Sequence, residues 1–291
     1  MNGMLALAQG DTSAAIDAHT GGAVASLKWR GIDLLRPAGE GATVREMGMF
    51  VLAPYSNRIG LGALPGETRL AANFPGEPHS IHGFGWQRAW QVSGAGADWA
   101  CLELVHAPDE HWPFSCRATL NIALRTDGVR MQLSLRNNDT RPMPAGLGFH
   151  PFFPVDAATC LQAQWDGRWE LDAARLPTHL TTLSTRDDFS APRSVGGWQV
   201  DNCFTGWPGR ATLSYAHHCV RIEAGPECPY VVCFRPADGR PFVAIEPVSH
   251  VSNAHQLEQR GVTGTGLRWL APAETFSIRM AIRAMPTTRQ P

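Results

Sequence analysis

Apolar and polar residues alternate along much of the chain in short stretches broken by turn residues. Val129, Met131, Leu133 and Leu135 alternate with Arg130, Gln132, Ser134 and Arg136. Phe276, Ile278, Met280 and Ile282 alternate with Ser277, Arg279, Ala281 and Arg283. Ala118, Leu120, Ile122 and Leu124 do so less cleanly against Thr119, Asn121 and Ala123. A period of two sends successive side chains to opposite faces, so each stretch predicts a strand with one face in a core and one in water. Cys101–Val105, Tyr230–Phe234 and Phe242–Ile245 read as buried strands, and a single short helix is expected around Ser252–Gln259. Gly (29) and Pro (22), spread through 291 residues, leave little room for long helices. The pattern predicts an all-β chain: one large antiparallel β-sandwich over residues 1–291, with a loose C-terminal tail at 286–291.

Composition narrows the function classes. The formal net charge is −1 and no block of like charge stands out, which argues against a nucleic-acid or anionic-membrane partner. No stretch of 18 apolar residues is present, and Met1–Gly10 lacks a positive start, so it makes a poor signal peptide. Seven cysteines at scattered positions, with no C-x-x-C pair, fit buried thiols in a reducing compartment better than a disulfide framework or a zinc knuckle. A cytoplasmic protein, monomer or homodimer, is expected.

Side chains suited to catalysis stand in unusual contexts. His150 lies in Gly-Phe-His-Pro-Phe-Phe-Pro, where a stiff apolar setting holds an imidazole able to give and recover a proton near neutrality. The alternative is a core histidine satisfied by backbone. Glu246 closes the apolar run Phe242–Ile245 and precedes Pro247, which keeps it extended. Burial there would raise its pKa toward the range of a general base; a buried salt-bridge acceptor is the alternative reading. Asn57 and Arg58, in Pro-Tyr-Ser-Asn-Arg-Ile-Gly, are good partners for sugar hydroxyls, or else simply turn residues. His82, in His-Gly-Phe-Gly-Trp, and Asp201 complete the set, each with a loop or Asx-turn alternative. His79 and His82 are three apart, but no third ligand follows at sensible spacing, so no metal is expected. Of ten tryptophans, Trp86, Trp90, Trp165 and Trp207 lie near these motifs; most of the ten should be core.

Taken together, Asn57-Arg58-Ile59, His82-Gly83, His150-Pro151-Phe152-Phe153, Asp201 and Glu246-Pro247 occur in an order and spacing that resembles the aldose 1-epimerase (galactose mutarotase) family. The segments Gly22–Trp29 and Gly31–Pro37 resemble that family's opening, and the likeness extends from about Asp17 to Ile282. The resemblance implies a galactose mutarotase-like supersandwich with an open cleft, and a free monosaccharide as substrate with no cofactor. It implies that His150 protonates the ring oxygen and Glu246 takes the proton of the anomeric hydroxyl. Arg58, His82 and Asp201 would match its substrate-binding positions. The sequence departs from the family at Phe152-Phe153-Pro154 and at Val248–Ala254, which leaves the sugar open. Three rivals remain: an enzyme of this fold acting on a phosphorylated or unusual sugar, a non-catalytic sugar-binding or sensing protein, and a polysaccharide-binding sandwich attached to lyase or hydrolase machinery, for which the sequence shows no second domain. The first needs a cluster of Arg or Lys, and the sequence shows only Arg58 and Arg88 near the motifs.

Overall fold

The computed structural model describes residues 4–66 and 68–287. Two large antiparallel sheets, of eleven and nine strands, share one apolar core. The centre of the first sheet runs, in spatial order, Met49–Leu52, Gly148–Pro154, Phe242–Val248, Tyr230–Arg235 and Val200–Thr205. The second is built on His218–Ala224, Thr275–Pro286, Gly128–Asn137, Cys116–Arg125 and Trp99–His106. The architecture is the all-β sandwich expected. No helix among the described residues is long and apolar enough to cross a membrane.

Burial follows the alternation. In Cys116–Arg125 and Gly128–Asn137 nearly every second residue is buried, and the two strands pair residue for residue from Cys116 opposite Asn137 to Arg125 opposite Gly128. Cys101–Val105 departs from the expectation of a buried strand. It belongs to Trp99–His106, one strand from the edge, where Leu102 and Leu104 face the core while Val105 is 59% exposed. The outer face of this sheet meets water, so one face is all it buries.

The first sheet differs because both its faces are covered. Val231, Cys233, Val243, Ile245, Phe149 and Phe153 point to the shared core. Val232, Ala244, Val248, Phe50 and Phe152 form a second apolar cluster on the outer face. This accounts for the nearly continuous apolar runs in Tyr230–Arg235 and Phe242–Val248. The helix spans Ala254–Gln259, two residues shorter than expected at its start. Ser252 and Asn253 are held out of it by their contacts with the loop at Asn57–Gly60: the Ser252 hydroxyl donates to Asn57 Oδ1 at 3.0 Å, and the Gly60 N–H donates to Asn253 Oδ1 at 3.0 Å. At the C-terminus Pro286 still pairs with His218 in the last strand, and the remainder of the expected tail, 288–291, lies outside the described residues.

Candidate active site

On the outer face of the first sheet lies a cleft of about 520 Å³, ample for a monosaccharide. Its floor follows from strand register. Pairing of Gly148 with Val248 and of Phe152 with Ala244 sets His150 directly opposite Glu246. The Ser249 N–H donates to the Leu147 carbonyl at 2.9 Å, which fixes the phase of the ladder. In that phase His150 and Glu246 are a non-hydrogen-bonded pair, the kind whose Cα atoms approach to about 4.5 Å. The two backbone bonds that would flank them require N–H groups at positions 151 and 247. Both positions are proline, so neither bond can form. The His-Pro and Glu-Pro dipeptides thus meet across two strands and open the ladder at one place.

The side chains close that place instead. His150 Nε2 lies 3.2 Å from Glu246 Oε1, while His150 Nδ1 and Glu246 Oε2 are buried without partners among the described residues. The imidazole is flanked by the rings of Phe50 and Phe152, at 4.6 and 4.5 Å. This apolar setting penalises both charges. Burial, helped by the positive charge of Arg36, pushes the His150 pKa down to about 3. Burial and then the charge of Asp201 push Glu246 well above the usual carboxylate range. The pair holds one proton in total, whether as carboxylic acid with neutral imidazole or as carboxylate with imidazolium. The low dielectric favours the neutral form of the pair.

The other candidate residues reach the cleft on loops that pack against each other. Asn57 and His82 both have left-handed backbones, at φ 56° and 62°. The His82 N–H donates to the Asn57 carbonyl at 2.9 Å, and the Asn57 N–H donates to His82 Nδ1 at 3.0 Å. The second bond fixes the tautomer: His82 carries its proton on Nε2 and acts as a donor. Burial first, then His150 and Arg58, lower the His82 pKa and keep the ring neutral. Gly83 makes the turn possible, since a Cβ there would meet the Ala53 carbonyl oxygen at 2.1 Å. Arg58 is 8% exposed and pairs with Glu77 at 2.8 Å, and Asp201 pairs with Arg175 at 3.2 Å. Burial raises the Asp201 pKa against the opposing pull of Arg58 and Arg175.

All six residues singled out in the sequence, Asn57, Arg58, His82, His150, Asp201 and Glu246, line this one cleft. His79 does not. Its Nδ1 accepts the Leu61 N–H at 3.0 Å and its Nε2 meets the Ala174 carbonyl at 3.1 Å, so it ties loops together. None of the four nearby tryptophans lines the cleft either. Phe50, Phe74, Phe152, Phe234 and Phe242 form its apolar walls, with Trp86 packed behind Phe50 and Phe74 at a tilt. Sequence reasoning also missed the charge on the walls. Arg36, Arg45, Arg175 and Arg240 join Arg58, whereas Arg88 pairs with Asp109 elsewhere. Arg36 and Arg45 come from one connection, between Ile32–Asp33 and Met49–Leu52, and Arg175 and Arg240 from two others far along the chain, so no local pattern in the sequence links them. Among the described residues no group of three or more His, Cys, Asp or Glu could hold a metal ion.

The aldose 1-epimerase family profile matches residues 4–283. The uncharacterized protein YphB of Escherichia coli K12 is 28% identical over 281 residues, 92% of this chain and 94% of that protein. A solved structure of a provisionally assigned aldose 1-epimerase from Escherichia coli K12 superposes with a TM-score of 0.89 at 26% identity, covering 98% of this chain and 99% of the other. A galactose mutarotase-like protein of Clostridium acetobutylicum, 21% identical, shares the fold with a TM-score of 0.86 over 98% and 95% of the two chains. A profile match over nearly the whole length places this chain in the aldose 1-epimerase family.

Proposed function

We propose that the protein is a mutarotase, interconverting the α and β anomers of an aldose by acid–base ring opening and closure, with His150 as acid and Glu246 as base. The observation that carries this reading is the cross-strand contact of His150 with Glu246 at 3.2 Å, on the floor of a cleft fringed by hydrogen-bond donors and acceptors. Mutarotation removes a proton from the C1 hydroxyl and adds one to the ring oxygen. A sugar entering the cleft parts the pair. In the carboxylate–imidazolium form, Glu246 accepts the C1 hydroxyl proton while His150 Nε2 donates to the ring oxygen, and the C1–O5 bond breaks. The aldehyde turns about C1–C2. On closure His150 recovers its proton and Glu246 returns one to the new C1 hydroxyl, so the site ends with the single proton it began with. The neutral His82 supplies an Nε2–H donor, and Arg58 and Asn57 supply further polar groups for the hydroxyls.

Polarimetry of freshly dissolved α-D-glucose and α-D-galactose tests this directly. The wild type should speed the drift in rotation, and Glu246→Gln should slow it by roughly a hundredfold or more. Unchanged turnover by Glu246→Gln would remove the base assignment. Failure of the wild type on a panel of free and charged aldoses would remove the activity.

A further inference from the structure

The cleft carries more positive charge than the proton chemistry uses. Arg58, Arg175 and Arg240 each have a carboxylate partner, in Glu77, Asp201 and Asp238. Among the described residues, Arg36 and Arg45 have none within ion-pair distance. Arg45 is exposed and lies over the ring of Phe74. Arg36 is half-buried and held in place. Its guanidinium carbon sits 4.1 Å from the centre of the Phe152 ring and 4.6 Å from that of Phe242, and its Nη2 donates to the carbonyls of Arg45 and Met47 at 2.6 and 2.8 Å. Its Nε is buried without a hydrogen-bond partner among the described residues. Arg240 shares the Phe242 ring, at 5.2 Å. Two cations therefore flank one aromatic ring. Glu46, whose charge reaches Arg36 without an ion-pair contact, accepts from the N–H and hydroxyl of Thr43 at 2.8 and 2.7 Å. Burial and then the charge of Arg240 pull the Arg36 pKa down to about 10, against a weaker opposing pull from Glu46.

We infer that the sugar taken by this cleft carries an anionic group, carboxylate or phosphate, on its exocyclic carbon, and that Arg36 is its main contact with Arg45 and Arg240 beside it. This rests on the acid–base roles proposed above, which set the sugar's orientation. Phe152 follows His150 by two residues on the same face, about 7 Å along the strand, and Arg36 covers it. The ring oxygen is bonded to C1 on one side and to the carbon bearing the exocyclic group on the other. With C1 at Glu246 and the ring oxygen at His150, the C1–oxygen bond lies across the two strands, and the exocyclic carbon beyond it reaches Arg36 by turning along the strand from His150 toward Phe152. A rigid guanidinium fork matches both carboxylate and phosphate, and stacking on two phenyl rings aims it without adding a competing anion.

Isothermal titration of the intact protein with glucose, glucuronate and glucose 6-phosphate at constant ionic strength, with anomer exchange followed by NMR in the same samples, tests the inference. At least one charged sugar should bind about tenfold or more tighter than glucose. Which of the two binds tighter identifies the anion as carboxylate or phosphate. Arg36→Met keeps much of the apolar stem against the two rings and should bring the ratio of charged to neutral affinity close to one. Should that variant fail to fold, Arg45→Gln and Arg240→Gln, both at exposed positions, should each lower the ratio severalfold. Equal affinity for glucose and both charged sugars in the wild type overturns the anion subsite, as does a ratio that survives every folded variant. The exchange signal separates this from the proposed activity. Glucose exchange without charge preference sinks the subsite alone. Charged-sugar affinity with no exchange of any sugar leaves the subsite and sinks the acid–base roles.

Discussion

At the level of single residues, the His150–Glu246 pair sets the pH response. An isolated histidine would lose the proton its acid role needs above about pH 6.5. Here burial holds His150 neutral until about pH 3 and holds the proton on Glu246 far above the usual carboxylate range. Between those limits the pair keeps one proton, the number the reaction needs. Below the lower limit a second proton binds and no base remains; above the upper limit the last proton leaves and no acid remains. kcat/KM for mutarotation should therefore be level through pH 4.5–6.5, with its acid limb near pH 3. A limb centred near 6.5 would show that His150 titrates independently of its surroundings. The two groups were legible in the sequence because each precedes a proline in an apolar run. Their direct contact was not, since it depends on how two strands nearly a hundred residues apart align.

At the level of elements, the site hangs on two left-handed turns and one gap in a ladder. Alternation in the sequence located the strands Cys116–Arg125, Gly128–Asn137 and Thr275–Pro286, because each has one wet face. It did not distinguish Trp99–His106, half-buried, from Phe242–Val248, buried throughout, because local composition does not say what covers a sheet. The turn at His82-Gly83 was visible as glycine beside an aromatic, but its purpose lies in the reciprocal bonds between His82 and Asn57. Gly83 has φ 67° and no room for a Cβ against Ala53. Gly83→Ala should cost more than about 1–2 kcal/mol, the conformational penalty alone, seen as a lower urea midpoint. It should also raise KM, since Asn57 and His82 would shift together. Unchanged KM in a folded Gly83→Ala protein would mean that the two residues do not bind sugar as a unit.

At the level of the whole molecule, the sandwich buries histidines that the unfolded chain would leave in water. Burial holds His150 and His255 neutral down to about pH 3 and His250 to about 4. In each case the folded pKa lies below the unfolded value near 6.5. The unfolded chain therefore binds more protons between these limits, and stability falls as pH drops through that window. Each such histidine contributes a slope of about 1.4 kcal/mol per pH unit. Above about pH 4.5 the raised pKa of Glu246 acts in the opposite direction and offsets one of them. The melting temperature should fall steadily from pH 6.5 to 4.5. A flat profile would mean that these rings are hydrated in the native state. The sandwich was evident from strand pattern and turn density. The arginine-lined cleft was not, because Arg36, Arg45, Arg175 and Arg240 meet only after the loops that carry them converge on one sheet face.

Those arginines have one more consequence. Opening a sugar ring exposes an aldehyde, and aldehydes condense with primary amines to give Schiff bases. Among the described residues, every cationic side chain lining the cleft is a guanidinium, and none is an amine. The chain's one lysine, Lys28, pairs with Asp33 on another strand. A guanidinium stays protonated and non-nucleophilic at any pH the protein would meet. With the proposed activity, the cleft would attract, orient and release a carbonyl compound many times over without becoming glycated by it.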